Sequence, residues 1–241
     1  MRRTVHRKIS AGLVLSLAAV LLAPSWGAAP TSDANEEERR VGEAIRVFQE
    51  IAELTEEGIP ESILCQAYGI AIIPGMVKAA YGIGGEYGRG VLLVKDRSLW
   101  SNPSFITLAG GSLGWQVGIQ KSDLLLVFKT RRSIDNIADG KITLGADAGV
   151  AAGPVGRGAQ ATTDLEMKAE IYAYSKSKGL FIGISLKGAA IQIDSQSNRD
   201  YYGNPDISAR DIFENPDLRA PGTAKRLRRV LSRHIGREFG L

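Results

Sequence analysis

Residues 110–114, GGSLG, place a serine in a pattern that could do chemistry. They match G-x-S-x-G, in which a serine nucleophile lies on a sharp turn between a strand and a helix. The following WQVGIQ alternates as a strand does, and the available base is His234, in an arginine-rich segment. The sequence therefore keeps a hydrolase that uses Ser112 only as a remote alternative.

A second glycine-rich stretch, GIGGEYGRGVLLV at residues 82–94, raises the question of a phosphate-binding loop. A dinucleotide fingerprint needs a third glycine where Tyr87 stands, and it needs a helix to follow. The segment after Gly90 is VLLVK, which has the pattern of a strand. The sequence therefore predicts that these glycines serve the architecture of a sheet rather than a nucleotide.

Cysteine and histidine are sparse, and the carboxylates, although plentiful, form no recognisable catalytic or metal-binding pattern. Cys65 is the single cysteine, and the two histidines are His6 and His234, so a zinc site of usual spacing is excluded. Cys65 is expected to be a buried structural thiol. Asp147 is expected to be buried and hydrogen-bonded within a strand of small residues. No pair of carboxylates has persuasive spacing, so we predict no enzyme, no cofactor and no metal.

The C-terminal segment TAKRLRRVLSRHIGREF predicts a basic amphipathic helix capped by Thr223. From residue 222 onward the chain carries six basic residues and one acidic residue. Such a helix can lie on an anionic membrane surface. It can equally pack through Leu227, Val230 and Leu231 and leave its basic face in solvent. The sequence leaves both interpretations open.

The N-terminus has the pattern of a secretory signal peptide over residues 1–27, followed by a flexible leader over residues 28–34. A charged start precedes the apolar run ISAGLVLSLAAVLLA, and small residues stand before a cleavage point at Ala28. The protein is therefore expected to be exported, periplasmic or secreted. Residues 1–27 hold four basic residues and no acidic ones, which leaves 26 of each sign. This balance argues against a nucleic-acid partner.

The sequence predicts an α+β fold for the domain that positions these residues. It consists of a Gly-rich, mainly antiparallel β domain (a strongly coiled sheet, a barrel or a sandwich) with helices at its N- and C-terminal ends. Of the 28 glycines, 20 lie between residues 69 and 188. Apolar spacing predicts helices at 35–55, 60–67, 133–140 and within 206–214. Turns are expected at 120–123 and 175–179. Strands are expected at 82–95, 105–120, 124–129, 142–155, 169–174 and 180–193.

The central block resembles the SYLF-domain family, also described as lipid-binding or actin-binding domains, and we assign it to a bacterial exported type. The resemblance rests on GIPESILCQAYGIAIIPGMVKAAYGIGGEYGRGVLLVK, WSNPSFITLAGGSLGWQVGIQKSDLLLVF, GKITLGADAGVAAGPVGR, AYSKSKGLFIGISLKGAAIQID and NRDYYG, in that order. It spans residues 35–204 and leaves 205–241 as a C-terminal helical extension. It implies phospholipid binding, and actin binding in some eukaryotic members.

Eukaryotic members often carry a basic amphipathic helix at the N-terminus of the domain, and this chain departs from them there. Its first helix is acidic, with NEEE at its start, so contact with anionic lipid is expected elsewhere. We predict an exported, non-catalytic protein that binds anionic phospholipid or another envelope lipid. The alternative is a structural or protein-interaction module of the cell envelope with an envelope protein as partner. Candidate lipid contacts are Lys225, Arg226, Arg228, Arg229 and Arg233, then Lys176 and Lys178 at the predicted hairpin tip, then Lys78 and Arg89.

Overall fold

The computed structural model of the chain describes residues 32–52, 58–97, 99–155, 169–182, 184–215 and 217–235. These residues belong to one compact unit. The predicted signal peptide and residues 28–31 of the predicted leader lie outside the described residues.

Two unusually long antiparallel strands, β1 (Gly69–Asp96) and β3 (Ser104–Phe128), form the backbone of the sheet. The turn predicted at residues 120–123 is wrong, because β3 runs straight through it and Ser122 pairs with Met76. The irregularity lies on β1 instead. Gly75 adopts a φ of 56°, and its N–H donates to Asp123 Oδ1 at 2.8 Å. A residue typical of turns thus holds a bulge on the neighbouring strand.

Six shorter strands complete the sheet. They are β2 (Leu99–Trp100), β4 (Lys141–Thr143), β5 (Val150–Ala152), β6 (Ile171–Ser177), β7 (Leu180–Ile182) and β8 (Ala190–Ile193). The main path is β2-β1-β3-β6-β5; β8 joins β3 to β4, and β7 pairs with β6. The pairings between these strands are antiparallel except β5 with β6. The predicted α+β class with a mainly antiparallel, strongly coiled sheet is confirmed.

Turn chemistry decides where the shorter strands end. The predicted hairpin at residues 175–179 is confirmed, with Lys178 and Gly179 both at positive φ. The predicted strand at 142–155 is wrong, because the chain turns at Gly145, φ 81°, between β4 and β5. Asp147 is exposed, and its Oδ2 accepts from the Thr143 N–H at 2.7 Å, so it shapes this turn. The predicted strand at 180–193 is likewise interrupted, at Gly188, φ 90°.

Helices flank the sheet: α1 (Ser32–Ala52), α2 (Glu61–Cys65), α3 (Arg131–Ala138), α4 (Ser195–Tyr202), α5 (Ala209–Glu214) and α6 (Gly222–Ile235). Each predicted helix occurs, although the expected ends at 53–55 and 236–239 lie outside the described residues. Helix α4 was not predicted. The Thr223 cap is wrong, because α6 begins at Gly222 and the Thr223 hydroxyl lies 2.8 Å from Tyr201 Oη. Among the helices of the described segments, none is long and apolar enough to cross a membrane.

Strong coiling brings the first part of β1 across its own last part. A Cβ added at Gly90 would lie 2.2 Å from the Ile72 carbonyl oxygen, and one at Gly88 would lie 2.5 Å from Ile73. Just outside this crossing, the Lys95 N–H donates to the Tyr68 carbonyl at 2.8 Å. The glycine-rich stretch therefore lets two backbone segments approach more closely than any side chain would permit.

The two faces of the sheet carry separate cores. Ile70, Ile72, Leu125 and Val127 face a core that includes residues of α1, α2 and α6. The alternate strand residues face a second core with α3, β4 and β8. We call the first the helical core and the second the inner core. The alternation follows from the two-residue repeat of a strand.

Candidate functional site

Helix α6 is docked on the protein rather than free. Ala224, Leu227 and Leu231 are fully buried in the helical core, and the His234 ring packs edge-on against Phe48 with centroids 5.3 Å apart. Burial of these side chains fixes which face of the helix reaches solvent. The packed interpretation of this segment therefore holds, and it still leaves a basic face available.

The outward face of α6 is a row of cations, which we call the α6 basic face. Lys225, Arg226, Arg229 and Arg233 are exposed. None of the four has an ion-pair partner among the described residues. Arg228 is different, because it is half-buried and its Nη1 lies 3.4 Å from Asn102 Oδ1. The structure thus brings together four of the five predicted helical cations and turns the fifth towards the protein.

The two candidate lysines of the β6–β7 hairpin have different surroundings. Lys178 lies in the turn and is exposed. Lys176 lies in β6, where its Nζ is 3.3 Å from Glu50 Oε2 of α1. Arg46 also binds Glu50, at 2.6 Å, and its hydrogen bond is the main cause that lowers the pKa of this carboxyl. Lys176 therefore ties the sheet to α1, and Lys178 remains available to a ligand.

Arg89 lies in a charge cluster that joins α1, β1 and the start of α4. Its Nη1 donates to Glu36 Oε1 at 3.0 Å, and its Nη2 donates to Asp194 Oδ2 at 3.1 Å and to Ser197 Oγ at 2.9 Å. Arg40 enters the same cluster, with Nη2 at 3.0 Å from Glu36 and Nη1 at 3.2 Å from Ser197. Arg89 is thus committed to carboxylates of the protein itself.

The cluster is partly shielded from water, so its charges depend on one another for stabilisation. The Arg40 side chain is 5% exposed and lies over the Phe105 ring, 5.4 Å from its centroid. Burial opposes ionisation of Asp194, but hydrogen bonds from Ser197 and Arg89 outweigh it and lower the pKa of the carboxyl. We call Glu36, Glu37, Arg40, Arg89, Asp194 and Ser197 the Arg89 cluster.

Lys78 is paired with a buried acid of its own strand. Its Nζ lies 3.6 Å from Glu86 Oε2 and 3.4 Å from the Ser185 carbonyl oxygen. The Glu86 side chain is almost fully buried, and its Oε2 has no hydrogen-bond partner among the residues that the structure describes. Burial raises the pKa of Glu86, and the nearby Lys78 charge only partly offsets this effect. Lys78 therefore forms an ion pair with the buried carboxylate of Glu86.

A cleft of about 480 Å³ lies beside α6, which contributes Arg228 to its lining. Trp100 and Phe213 contribute aromatic surface, and Arg97 and Arg228 contribute cations. Other cations in this cleft are already paired: Arg210 binds Asp139 at 2.6 Å. The cleft could accept an apolar side chain of a partner, and no residue pattern in the sequence indicated it.

The G-x-S-x-G match does not form a nucleophile elbow. Residues 110–114 lie inside β3, where Ser112 pairs with Gly84, and the strand continues to Phe128. The proposed base, His234, has Nδ1 at 3.1 Å from the Val230 carbonyl oxygen. Cys65 is half-buried against the helical core. Within the described residues, no group of three or more His, Cys, Asp or Glu side chains could hold a metal ion.

Comparison with known proteins gives a consistent result. Residues 109–234 match the family model Ysc84, described as "Las17-binding protein actin regulator". The chain is 33% identical over 204 residues to SH3 domain-containing YSC84-like protein 1 of Xenopus laevis, covering 83% of this chain and 60% of that relative. It is 38% identical over 177 residues to LAS seventeen-binding protein 3 of Saccharomyces cerevisiae (strain S288c), covering 72% of this chain and 38% of that relative. The chain thus spans between about two fifths and three fifths of the relatives that it matches.

Proposed function

This chain belongs to the Ysc84 (SYLF) domain family, and on that premise we propose that it is a non-catalytic protein that binds anionic lipid surfaces. The ligand is phospholipid or another anionic envelope lipid, and the contact is electrostatic. The α6 basic face carries the proposal, because its four exposed cations project from a helix whose apolar side is already buried.

The arrangement suits adsorption to a surface rather than recognition of one headgroup. The four cations lie within nine residues of the helix, from Lys225 to Arg233, and form a strip about 12 Å long. Each basic residue near an anionic leaflet contributes about 1 kcal/mol. The four together give about 4 kcal/mol, which is a weak and salt-sensitive attachment.

We also propose that the protein acts after export, in the periplasm or outside the cell. The charged start and short apolar run of residues 1–27 support this location. Mass spectrometry of the protein from the envelope fraction of its host tests it. A mature N-terminus at Ala28 is expected, and a chain that begins at Met1 in the cytosol would contradict export.

The lipid proposal is tested by cosedimentation with vesicles of phosphatidylglycerol and phosphatidylcholine. Residues 28–241 should bind at low salt and dissociate at about 0.5 M salt, where charge attraction reaches only a few ångströms. Replacing Lys225, Arg226, Arg229 and Arg233 by glutamine should weaken binding about a thousandfold. Truncation before α6 is a poor test, because it would expose the helical core.

The matched control removes four exposed cations elsewhere and changes the net charge equally: Arg132, Lys141, Lys187 and Arg219. This control should retain most of the binding. Equal losses in both variants would mean that net charge, and not α6, attracts the protein. If the unsubstituted protein ignores anionic vesicles at low salt, the lipid proposal is wrong.

A second candidate function is protein binding in the envelope. The cleft beside α6, with Trp100 and Phe213, supports it, as does a family description that names a protein partner. Phe213→Ala should weaken capture of such a partner and leave vesicle binding unchanged.

A further inference from the structure

On the face of the sheet that carries the helical core, one part of β1 and β3 has no helix of the described residues packed over it. β1 and β3 pair Val77 with Lys121 and Ala79 with Ile119. Directly paired residues lie on the same face, and so do residues two apart along a strand. The four side chains therefore form one patch on the face that carries the helical core.

The border between the covered and uncovered parts is marked by ion pairs. Further along the same face, Leu125 and Val127 are buried in the helical core. At its limit, Arg46 of α1 lies 3.6 Å from Asp123, and Glu50 of α1 binds Lys176. Beyond Asp123 the face continues as Lys121 and Ile119, and both are exposed.

The uncovered part is apolar to a degree unusual for this protein. Ile119 is 81% exposed, the largest value among the exposed large hydrophobic side chains of the described residues, and Val77 is 39% exposed. Single exposed apolar residues are common, but here Ile119 pairs across the strands with Ala79 and lies diagonally opposite Val77. Their alignment creates one surface that water solvates poorly.

Cations border this apolar surface. Lys121 belongs to the patch, and Ser177 Oγ donates to its carbonyl at 2.9 Å, which holds the β6–β7 turn beside it. Lys178 of that turn is exposed. Within the described part of the chain, neither lysine has an ion-pair partner. An apolar centre beside free cations complements an anionic membrane, whose headgroups are charged and whose interior is apolar.

We propose that Val77, Ala79, Ile119, Lys121 and Lys178, the ribbon patch, insert into the interface of an anionic membrane. This inference rests on the proposed lipid-binding function and adds a second attachment to the α6 basic face. α6 and the ribbon patch lie on the same side of the sheet, and Arg226 lines a small cleft with Arg46 and Glu50, beside the border of the patch. One surface can therefore supply charge attraction and apolar insertion together.

The first measurement places a probe at the patch. In a Cys65→Ser background, Ile119→Cys labelled with a nitrobenzoxadiazole dye should become brighter and blue-shifted on vesicles of equal parts phosphatidylglycerol and phosphatidylcholine. The same dye at Gly140→Cys, an exposed position after α3, should not change. An unshifted dye at residue 119 while the protein sediments with the vesicles would overturn the inference and leave the α6 proposal intact.

The second measurement compares two exposed apolar residues. Ile119→Asn should lower vesicle affinity about tenfold, since one apolar side chain no longer leaves water. The loss should be the same fold-change at every salt concentration at which the unsubstituted protein still binds. Leu99→Asn removes a comparable exposed side chain on β2 and should leave affinity unchanged. Equal affinity for Ile119→Asn and the unsubstituted protein would overturn the inference.

Two further outcomes have distinct meanings. No vesicle binding by the unsubstituted protein overturns both the function and this inference. A dye shift at residue 119 without vesicles, together with a dimer in sedimentation analysis that Ile119→Asn abolishes, would show that a second copy covers the patch and would overturn membrane insertion.

Discussion

Arg89 and Asp194, 105 residues apart in the chain, are joined by a 3.1 Å ion pair that fastens β1 to the start of α4. The same guanidinium binds Glu36 of α1 at 3.0 Å. One arginine of the glycine-rich stretch thus connects three elements of the fold. Its position indicates a structural role, with consequences for stability that can be measured.

Loss of Arg40 should destabilise the protein strongly. Its buried guanidinium faces Glu36, Glu37 and Asp194, and its removal leaves partly dehydrated carboxylates with less compensation. We expect Arg40→Ala to lower the free energy of unfolding by about 3 kcal/mol in urea denaturation. Arg39→Ala, on the exposed side of the same helix, should cost about 0.5 kcal/mol. Similar costs for the two variants would contradict a structural Arg89 cluster.

Stability at acidic pH should depend on Asp194. Its pKa is lower in the folded protein than in the unfolded chain, so the charged form is favoured by folding. This contribution is complete above the unfolded pKa of about 3.9 and is lost as the pH falls through the folded pKa. Asp194→Asn should therefore lose stability at neutral pH and show a shallower decline below about pH 4. If the free energy of unfolding changes with pH in parallel for the variant and the unsubstituted protein, Asp194 does not have the lowered pKa.

The contribution of Glu86 to stability should depend on pH in the opposite direction to that of Asp194. Burial raises its pKa in the folded state, so its contribution is present at low pH and is lost as the pH rises through the raised value. Glu86→Gln keeps the shape of the protonated side chain. The variant should be at least as stable as the unsubstituted protein at neutral pH, and the difference should vanish in acid. A variant that is less stable at pH 7 would mean that the Lys78 pair outweighs burial.

Substitution of Gly90 tests the crossing of β1 over itself. A methyl group there would meet the Ile72 backbone, which cannot move aside as a side chain can. Gly90→Ala should lower the free energy of unfolding by about 3 kcal/mol or prevent folding. Gly111→Ala is the matched control in β3: no atom of the described residues lies within 4 Å of the added carbon, so it should fold normally. A stable Gly90→Ala protein would contradict the close crossing.

Local patterns were enough to predict the class of fold and most helices. The helical spacing of α1, α3 and α6 is visible in the sequence, and so is the Lys178–Gly179 turn. Continuity of β3 was not visible, because Asp123 looks like a turn residue and instead holds a bulge at Gly75, 48 residues away. α4 was missed because its support is distant: the Phe105 N–H donates to Asn198 Oδ1 at 2.8 Å.

Some of the candidate lipid contacts could likewise be predicted from local patterns, and others could not. The α6 basic face follows from neighbouring residues on one helix, so the sequence could indicate it. The partners of Lys176 and Arg89 come from α1 and α4 and could not be inferred from spacing. Lys121 was overlooked because it fell in the predicted turn. Lys121 becomes a candidate contact because β3 runs through the predicted turn and because Ile119, two residues away, is exposed.

The alternation of β1 has a consequence for cooperativity. Ile70 and Ile72 enter the helical core, while Ala71 and Ile73 enter the inner core from the same four residues of backbone. Neither core can lose this strand without dismantling the other, so no half of the described protein offers a stable intermediate. Heat should melt the sheet and α6 together, in one transition that far-UV circular dichroism and tryptophan fluorescence report at the same temperature.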